Sequence, residues 1–595
     1  MKFFLLLLSY FVLTLGLQAK SNYTPEQIRM LASISVKINS DGEVDKSVFK
    51  TGIVPDSRII QNYNESPSTI VFMKEMSSLR NYYDLESNGT PLQIWQDPAN
   101  QDNIHAVYTY SSQETGWSDR TIQYFFSSDR GLTWSLICNV PASGRAGFGT
   151  ITGTSNGCAL IGAHTAIGAN TNVRAVFFAD AFPGLGSFTA LDPGASTNNR
   201  TIWPRVAATQ NVSLTNKFVF CTSTSGADSA FIGIGLSLTS SNFLSYRAFN
   251  ASPAECYTIA RGADGRIGIA YIVDGTNDPA NYGDIYFMES TDAGSNFSAP
   301  TKIFDANFST DSLAGLRGIS MAYKSNTPCV VFETIKQTTA GNFFPGAPSK
   351  IRFWTSGAPV SVVIADSNNI PYAPAGGTND VLAPICRPSI GVTGNVLFVT
   401  TMAANSATGS TDTTNYDDIY LIRSNNSGAT WSAPERITPS SPRNDWRYAS
   451  ISPSNDIVGN VYFANVVVQK DTVPGSNVNL ANPLTNAKPY FLRLSYITGI
   501  VNISNGIPGE YKLYNNYPNP FNPSTKIRFD LAKNSTVKIN IFDVNGRLVS
   551  DLVNSVLAAG TYETDFNASA LSSGVYYYRI ETNSFSDTKK MILVK

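Results

Sequence analysis

Ser127-Ser128-Asp129-Arg130-Gly131-Leu132-Thr133-Trp134 lies between an apolar run, Ile122–Phe126, and a second short run, Ser135–Val140. Two other stretches share its form. They are Ser290-Thr291-Asp292-Ala293-Gly294-Ser295-Asn296-Phe297 and Ser424-Asn425-Asn426-Ser427-Gly428-Ala429-Thr430-Trp431. All three fit Ser-x-Asp/Asn-x-Gly-x-x-aromatic. Asp or Asn bonds backbone N–H groups two residues on and shapes a turn. Glycine accepts a positive φ that a side chain resists. The closing aromatic covers the hairpin and buries a large area. Three such hairpins at related positions indicate a repeat architecture.

Working outward, a regular alternation begins near residue 88. In the unit holding the third hairpin, Pro388–Val392, Val396–Thr401, Asp418–Arg423 and Ala433–Ile437 read as four successive strands. Second strands of the other units are His105–Tyr110, Cys158–Ala163, Lys217–Thr222, Ile267–Ile272, Cys329–Glu333 and Val461–Val468. Third strands are Thr121–Phe126, Val173–Ala179, Ala230–Leu236, Asp284–Met288, Lys350–Trp354 and Tyr490–Tyr496. Short strands at even spacing predict an all-β repeat fold, and four strands per unit is the blade of a β-propeller. The expected fold is therefore a seven-bladed propeller, with six blades as the alternative, followed by a small C-terminal β-sandwich. A pair of β-sandwiches is the competing explanation of the alternation. Gly184–Phe188 and Thr355–Gly357 stand where decayed hairpin copies belong, and Thr69–Met73 reads as a strand that caps or closes the repeat.

The hairpin pattern resembles the Asp-box (BNR) repeat of sialidase-like propellers, in which the box is a folding element. The resemblance gives Ser127, Asp129, Gly131, Trp134, Ser290, Asp292, Gly294, Phe297, Ser424, Asn426, Gly428 and Trp431 a structural role. The C-terminal stretch has its own signature: Asn516-Tyr517-Pro518-Asn519-Pro520-Phe521-Asn522-Pro523, Ile541–Arg547, Leu571–Tyr578 and the closing Lys589–Lys595. It resembles the type A C-terminal sorting domain of the type IX secretion system of Bacteroidota and their relatives. That likeness implies recognition by the secretion machinery at the outer membrane, followed by release or tethering of the passenger at the cell surface.

At the other end, Lys2 and the apolar Phe3–Leu17 with Leu17-Gln18-Ala19 have the form of a secretory signal. An uncleaved anchor is the alternative, although the apolar run falls short of the roughly 20 residues a span needs. The expected organisation is a signal peptide at 1–19, an N-terminal cap segment at 20–85 with a helix start at Thr24-Pro25, the propeller at 86–503, a linker at 504–510 and the sorting domain at 511–595. An extracellular or outer-surface location follows, reached by Sec export and outer-membrane translocation.

The 595 residues carry a formal net charge of −1 with only 15% charged residues, which argues against nucleic acid as a partner. Two histidines, His105 and His164, make a His-rich metal centre improbable, and no cofactor or metal is expected. Export makes disulfides feasible. The candidate pairings are 138–158, 221–256 and 329–386, with buried free thiols as the alternative.

For chemistry, the suggestive series is Arg145, Arg205, Arg317, Arg387 and Arg447, each at or just before a first strand. Converging guanidinium groups suit bidentate carboxylate binding. The competing reading pairs each arginine with a local acid such as Asp311, Asp380 or Asp445. Sialidases bind a substrate carboxylate through arginines and use a Tyr nucleophile with a carboxylate. Tyr257 with Glu255, and Glu333, are candidate participants, but the Phe-Arg-Ile-Pro motif of that family is not intact and Asp56–Ile60 only echoes it. No catalytic residue is assigned. Trp95, Trp117, Trp203, Trp354 and Trp446 are candidates for stacking on sugar rings or for packing. The expected function is non-catalytic binding of a glycan or protein. The alternatives are an exo-sialidase-like glycoside hydrolase acting on acidic sugars and a structural surface or adhesion protein.

Overall fold

Alternating apolar residues bounded by Gly, Asn and Ser turns produce strands almost throughout the computed structural model. It describes residues 36–37 and 69–594, apart from 168–171, 195–200, 210–216, 225–229, 253, 274–277, 309–310, 339–341, 345–346, 373–382, 406–414, 459–460, 481–484, 498–499, 505 and 569–570. The expected signal segment, the helix start at Thr24, Asp56–Ile60 and Asp380 lie outside the described residues. Among the described residues no helix is long and apolar enough to cross a membrane.

The first sheet is Ile94–Gln96, Ile104–Tyr110, Thr121–Ser127 and Ser135–Val140, each strand antiparallel to the next. Five more four-stranded sheets follow in chain order. Their first strands are Ala146–Gly153, Thr201–Ala208, Tyr257–Arg261, Leu313–Lys324 and Ile385–Thr393. The seventh sheet runs Asp445–Ile451, Val461–Asp471 and Lys488–Ile497, and its outer strand, Thr69–Glu75, comes from the N-terminal side of the chain. The strand expected near Thr69 therefore closes the last sheet, in register Thr69↔Ser495 through Glu75↔Tyr490.

Apolar layers join each sheet to the next. Trp95, Tyr124, Ile161 and Phe178 link the first to the second, and Phe177, Phe218 and Phe220 link the second to the third. The series ends on a layer holding Phe491 and Val467 of the seventh sheet with Ile94, Ile104 and Phe125 of the first. Burial is continuous along the first two strands of most sheets, so the core is a ring of layers around the first strands.

Two further four-stranded sheets end the chain. One holds Ile500–Ser504, Gly560–Asn567, Ser524–Leu531 and Lys512–Leu513, and the other Leu548–Leu557, Ser535–Phe542, Gly574–Glu581 and Ser586–Leu593. Alternate residues of Ser524–Leu531 and Ser535–Phe542 face a shared core around Ile527, Phe529, Val537 and Ile539. Val461 and Phe463 of the seventh sheet pack against that same core.

None of the three expected disulfides forms; all six cysteines are free. Cys221 faces the layer between the third and fourth sheets, whereas Cys256 belongs to the layer between the fourth and fifth. Cys329 and Cys386 are likewise on opposite sides of the sixth sheet. Layers separated by a sheet are about 10 Å apart, beyond the span of a disulfide. The Cys158 thiol turns back to the Asn156 carbonyl, while that of Cys138 faces the Gly186 carbonyl.

Candidate functional site

The three repeat hairpins have one geometry. Serine Oγ donates to the Asp or Asn Oδ1 at 2.8, 2.8 and 2.9 Å (Ser127–Asp129, Ser290–Asp292 and Ser424–Asn426). The glycine amide donates to the same Oγ at 2.8 Å in all three. The amides of Thr133, Asn296 and Thr430 return to the Asp or Asn Oδ1. Each glycine sits at φ between +84° and +93° and presses on the preceding sheet: Gly131 on Phe491, Gly294 on Val219, Gly428 on Phe353. Trp134 and Trp431 pack on the same Phe491 and Phe353. These residues join neighbouring sheets and offer no open chemistry. Gly184–Phe188 follows the rule in part: Asp180 accepts from the amides of Gly186 and Ser187, and Gly184 presses on Phe126 of the first sheet.

At the start of the first strands, the centre of the ring is filled by the chain itself. Residues 81–93 leave the outer strand of the seventh sheet and touch all seven sheets before entering the first. Asp84 accepts from Ser476 Oγ, the Asn477 amide and Thr485 Oγ1. Leu85 packs with Phe148, Trp203 and Ala254. Glu86 accepts from the Thr109 amide and from Gln93. Ser87 Oγ and the Asn88 amide donate to Glu255 at 2.9 and 2.6 Å. Thr90 Oγ1 donates to the Pro388 carbonyl, and the Gln93 amide to Ser450 Oγ. A Cβ at Gly89 would lie 2.7 Å from the Glu255 carbonyl oxygen and 3.0 Å from that of Arg317, so only glycine passes there.

Four of the five arginines of the series face this segment or its supports, and all four are buried. Arg205 pairs with Glu255 at 3.1 Å and donates to Ser87 Oγ and the Thr90 carbonyl. Arg317 reaches Asn88 Oδ1 at 3.5 Å. Its amide and that of Arg387 both donate to the Glu333 carboxylate, at 3.2 and 2.7 Å. The Arg387 guanidinium lies over the Tyr448 ring. Arg447 sits between Asp445 at 3.1 Å and Asp84 at 3.5 Å and donates to the Gly475 carbonyl. Of the local acids expected as partners, Asp445 is one.

Arg145 stands apart and is exposed. Beside it is Arg120, whose guanidinium contacts the Ala146 carbonyl, Tyr83 Oη and His164 Nε2 at 2.8, 2.7 and 3.0 Å. Among the described residues neither arginine has a carboxylate in ion-pair range. Although exposed, Arg145 loses part of its hydration against the protein, and this and the Arg120 charge push it below the usual arginine range. Burial and the same two cations hold His164 well below its usual value, so its ring is neutral. Trp117 stands edge-on to Tyr83 at 5.7 Å. Of this cluster, Arg145 and Trp117 were candidates in the sequence, whereas the buried Arg120 and Tyr83 were not. Trp95, Trp203, Trp354 and Trp446 are core residues.

The proposed nucleophile pair is not assembled. Tyr257 Oη donates to the Trp203 carbonyl at 2.9 Å and also meets Ser223 Oγ, and neither partner is a carboxylate. Burial raises its pKa well above that of a free phenol. His105 is buried against Tyr124 and is pushed down to about 3 by desolvation. Among the described residues no group of His, Cys, Asp or Glu could hold a metal ion.

Glu86 gives a pH test of the filled centre. Burial raises its carboxyl to about 8, against weaker opposing hydrogen bonds from Thr109 and Gln93. The unfolded group titrates at the ordinary carboxyl value of 4.5. Between those values the folded chain holds a proton the unfolded chain has lost, so stability falls as pH rises from about 4.5 to about 8. Glu86→Gln mimics the protonated acid. It is expected to flatten that slope and raise the unfolding midpoint at pH 8 while changing little at pH 4. An unchanged slope in the variant would place the titration elsewhere.

The C-terminal signature is held together in space. Asn519 Oδ1 accepts from the Ile592 amide and its Nδ2 donates to the Lys590 carbonyl. The Phe521 amide donates to the Ile592 carbonyl, and the Val594 amide to the Phe521 carbonyl. The Asn-Pro-Phe motif is thereby laced to the closing strand. Residues 515–595 match the family described as "Secretion system C-terminal sorting domain". That segment is a sorting domain of this family. It marks the chain for export through the type IX machinery to the cell surface or the extracellular space.

A comparison with curated proteins finds no match. Among solved structures, an endo-arabinase from Bacteroides thetaiotaomicron VPI-5482 is similar at 12% identity and TM-score 0.29, over 72% of this chain and 97% of that one. The K499G mutant of NanB sialidase from Streptococcus pneumoniae aligns at 12% identity and TM-score 0.34, over 70% of each chain. An alpha-L-arabinofuranosidase from Lactobacillus brevis aligns at 12% identity and TM-score 0.27, over 48% of this chain and 89% of the other. Likenesses at that level say nothing about the chemistry of the site.

Proposed function

We propose that the chain is an exported, seven-bladed Asp-box β-propeller that binds an acidic glycan or polymer without cleaving it, through the rim around Arg145, and ends in a β-sandwich sorting domain. The observation that carries this reading is the filled centre. Residues 81–93 occupy the end of the ring where the first-strand arginines converge, and Glu255, Asp84 and Asn88 engage Arg205, Arg447 and Arg317. A sialidase-type mechanism needs those arginines open to a substrate carboxylate and a tyrosine beside a general base. Here the arginines anchor the plug, and Tyr257 donates to a backbone carbonyl. Arg145 is left as an exposed cation near the half-buried Trp117, with the buried Arg120 and Tyr83 behind them, a pairing of charge and aromatic that suits an acidic sugar. Seven sheets joined by seven apolar layers support the blade count, and the sharing of one core by the last two sheets supports the sandwich. The strand Ile500–Ser504 pairs with Gly560–Asn567, which favours a boundary near residue 498 over one at 504–510.

The test is a glycan array and a fluorogenic sialoside with the full chain. Binding to sialylated or uronate-bearing glycans with no sialoside turnover is expected. Arg145→Ala should weaken that binding roughly tenfold, the effect of losing one charged hydrogen-bonding partner. Turnover would establish the hydrolase alternative, a blank array the structural one, and full binding by the variant would move the site off this rim.

A further inference from the structure

At the opposite end of the ring the first strands leave a cavity of about 90 Å³. Its lining includes Ile94, Ile151, Ile259, Arg261, Met321 and Tyr323, from the first strands of the first, second, fourth and fifth sheets. The plug does not reach it beyond Leu92. The walls are mainly aliphatic. Their one cation is Arg261, the last residue of Tyr257–Arg261.

Arg261 Nη1 donates to the Ala208 carbonyl at 3.0 Å and more weakly to that of Gly153 at 3.4 Å, at the ends of the first strands of the third and second sheets. Two carbonyls orient the guanidinium but leave its charge in place. Among the described residues Arg261 makes no ion pair. The nearest acid acting on it is Asp97, whose carboxylate accepts from the Ala99 amide at 2.9 Å. Tyr323, on the same wall, turns its hydroxyl outward to Glu289 at 2.6 Å. Burial lowers Arg261 to about 10, and the Asp97 charge offsets this only in part. Arg205 and Arg447 at the ring centre each have a carboxylate within 3.5 Å, and Arg261 has none among the described residues.

We infer that this cavity binds a small aliphatic carboxylate, its carboxylate on the Arg261 fork and its hydrocarbon against Ile94, Ile151, Ile259 and Met321. The planar guanidinium presents parallel N–H groups that match a carboxylate. A single water needs on the order of 10–15 Å³ of such space, so the cavity takes a molecule of a few heavy atoms. A tetrahedral oxyanion would meet one donor group and otherwise apolar walls. This site is separate from the rim around Arg145 and stands or falls without it.

The experiment is calorimetric titration of the full chain with acetate, butyrate and inorganic phosphate. Saturable binding is expected, tighter for butyrate than acetate and weakest for phosphate. Arg261→Met should weaken butyrate roughly tenfold or more, as loss of a charge-assisted contact does, while Arg145→Ala leaves it unchanged. Should the Met variant fail to fold, Arg261→Lys keeps the charge without the fork and is expected to bind butyrate more weakly than the native chain. No saturable butyrate binding, phosphate at least as tight as butyrate, or native affinity in the substituted chain that folds would overturn the assignment.

Discussion

Glu255→Ala is expected to destabilise the folded chain by about 3–5 kcal/mol, the usual result of stripping one partner from a buried ion pair. The carboxylate is 1% exposed and has three claims on it: Arg205, Ser87 Oγ and the Asn88 amide. Removing it leaves the Arg205 charge in the centre of the ring with only Ser87 and the Thr90 carbonyl. It also releases the middle of residues 81–93. The effect is read as a fall in the denaturation midpoint of the full chain. Glu255→Gln should cost less, because the amide oxygen can still accept from Ser87 or Asn88 while losing the charge. Gly89→Ala tests the same segment by another route, since its Cβ would meet two backbone oxygens that cannot rotate away. If Glu255→Ala leaves the midpoint unchanged but abolishes turnover of a sialoside, the carboxylate is catalytic and the plug reading fails.

The same region marks the limit of what the sequence disclosed. Hairpins, strands and sheet membership were legible because they depend on residues close together in the chain. Ile267–Ile272 was read at its observed bounds, and other second strands differ by a few residues at their ends. Burial explains the length differences: Thr327–Lys336 and Val461–Asp471 continue past their apolar runs because long-range partners pair their polar ends. Residues 81–93 have no period at all. Asn81, Asp84, Glu86, Ser87, Asn88 and Gly89 are polar or small with no apolar pattern, and Asp84, Ser87, Asn88 and Gly89 become core only through partners far away in the chain. The arginines do not share one register: against the equivalent positions Phe148, Trp203, Arg387 and Tyr448, Arg145 and Arg447 come before and Arg205 after, and the chain gave no hint that its own segment would lie across them. Nor do bulges carry a local signal here. Phe148, Trp203, Arg387 and Tyr448 all adopt φ between +50° and +57° near first-strand register shifts, a conformation their residue types do not favour. The disulfide expectation failed for a related reason: sequence places two cysteines on neighbouring sheets without saying which layer each side chain enters.

Gly131→Ala is expected to be the most damaging of the hairpin substitutions, at about 2–5 kcal/mol. That range combines the cost of a left-handed backbone for an L residue, about 1–2 kcal/mol, with overpacking of about 1–3 kcal/mol. Both apply here: φ is +84°, and the added Cβ would lie 2.1 Å from Phe491 Cε1. Phe491 is fully buried in the layer that joins the seventh sheet to the first and also carries Trp134. The seventh sheet already depends on Thr69–Glu75 for its outer edge. Gly428→Ala meets Phe353 at 2.3 Å and Gly294→Ala meets Val219 at 2.6 Å, so these should follow in that order. Gly357 is the control, with φ of +90° and no atom within 4 Å of the built Cβ. Its substitution should cost only the backbone part, about 1–2 kcal/mol. Urea unfolding of the four single variants in the full chain gives the ranking. Equal losses at Gly131 and Gly357 would mean that backbone conformation alone selects glycine in these hairpins, and that their seating on the preceding sheet contributes nothing to holding the ring closed.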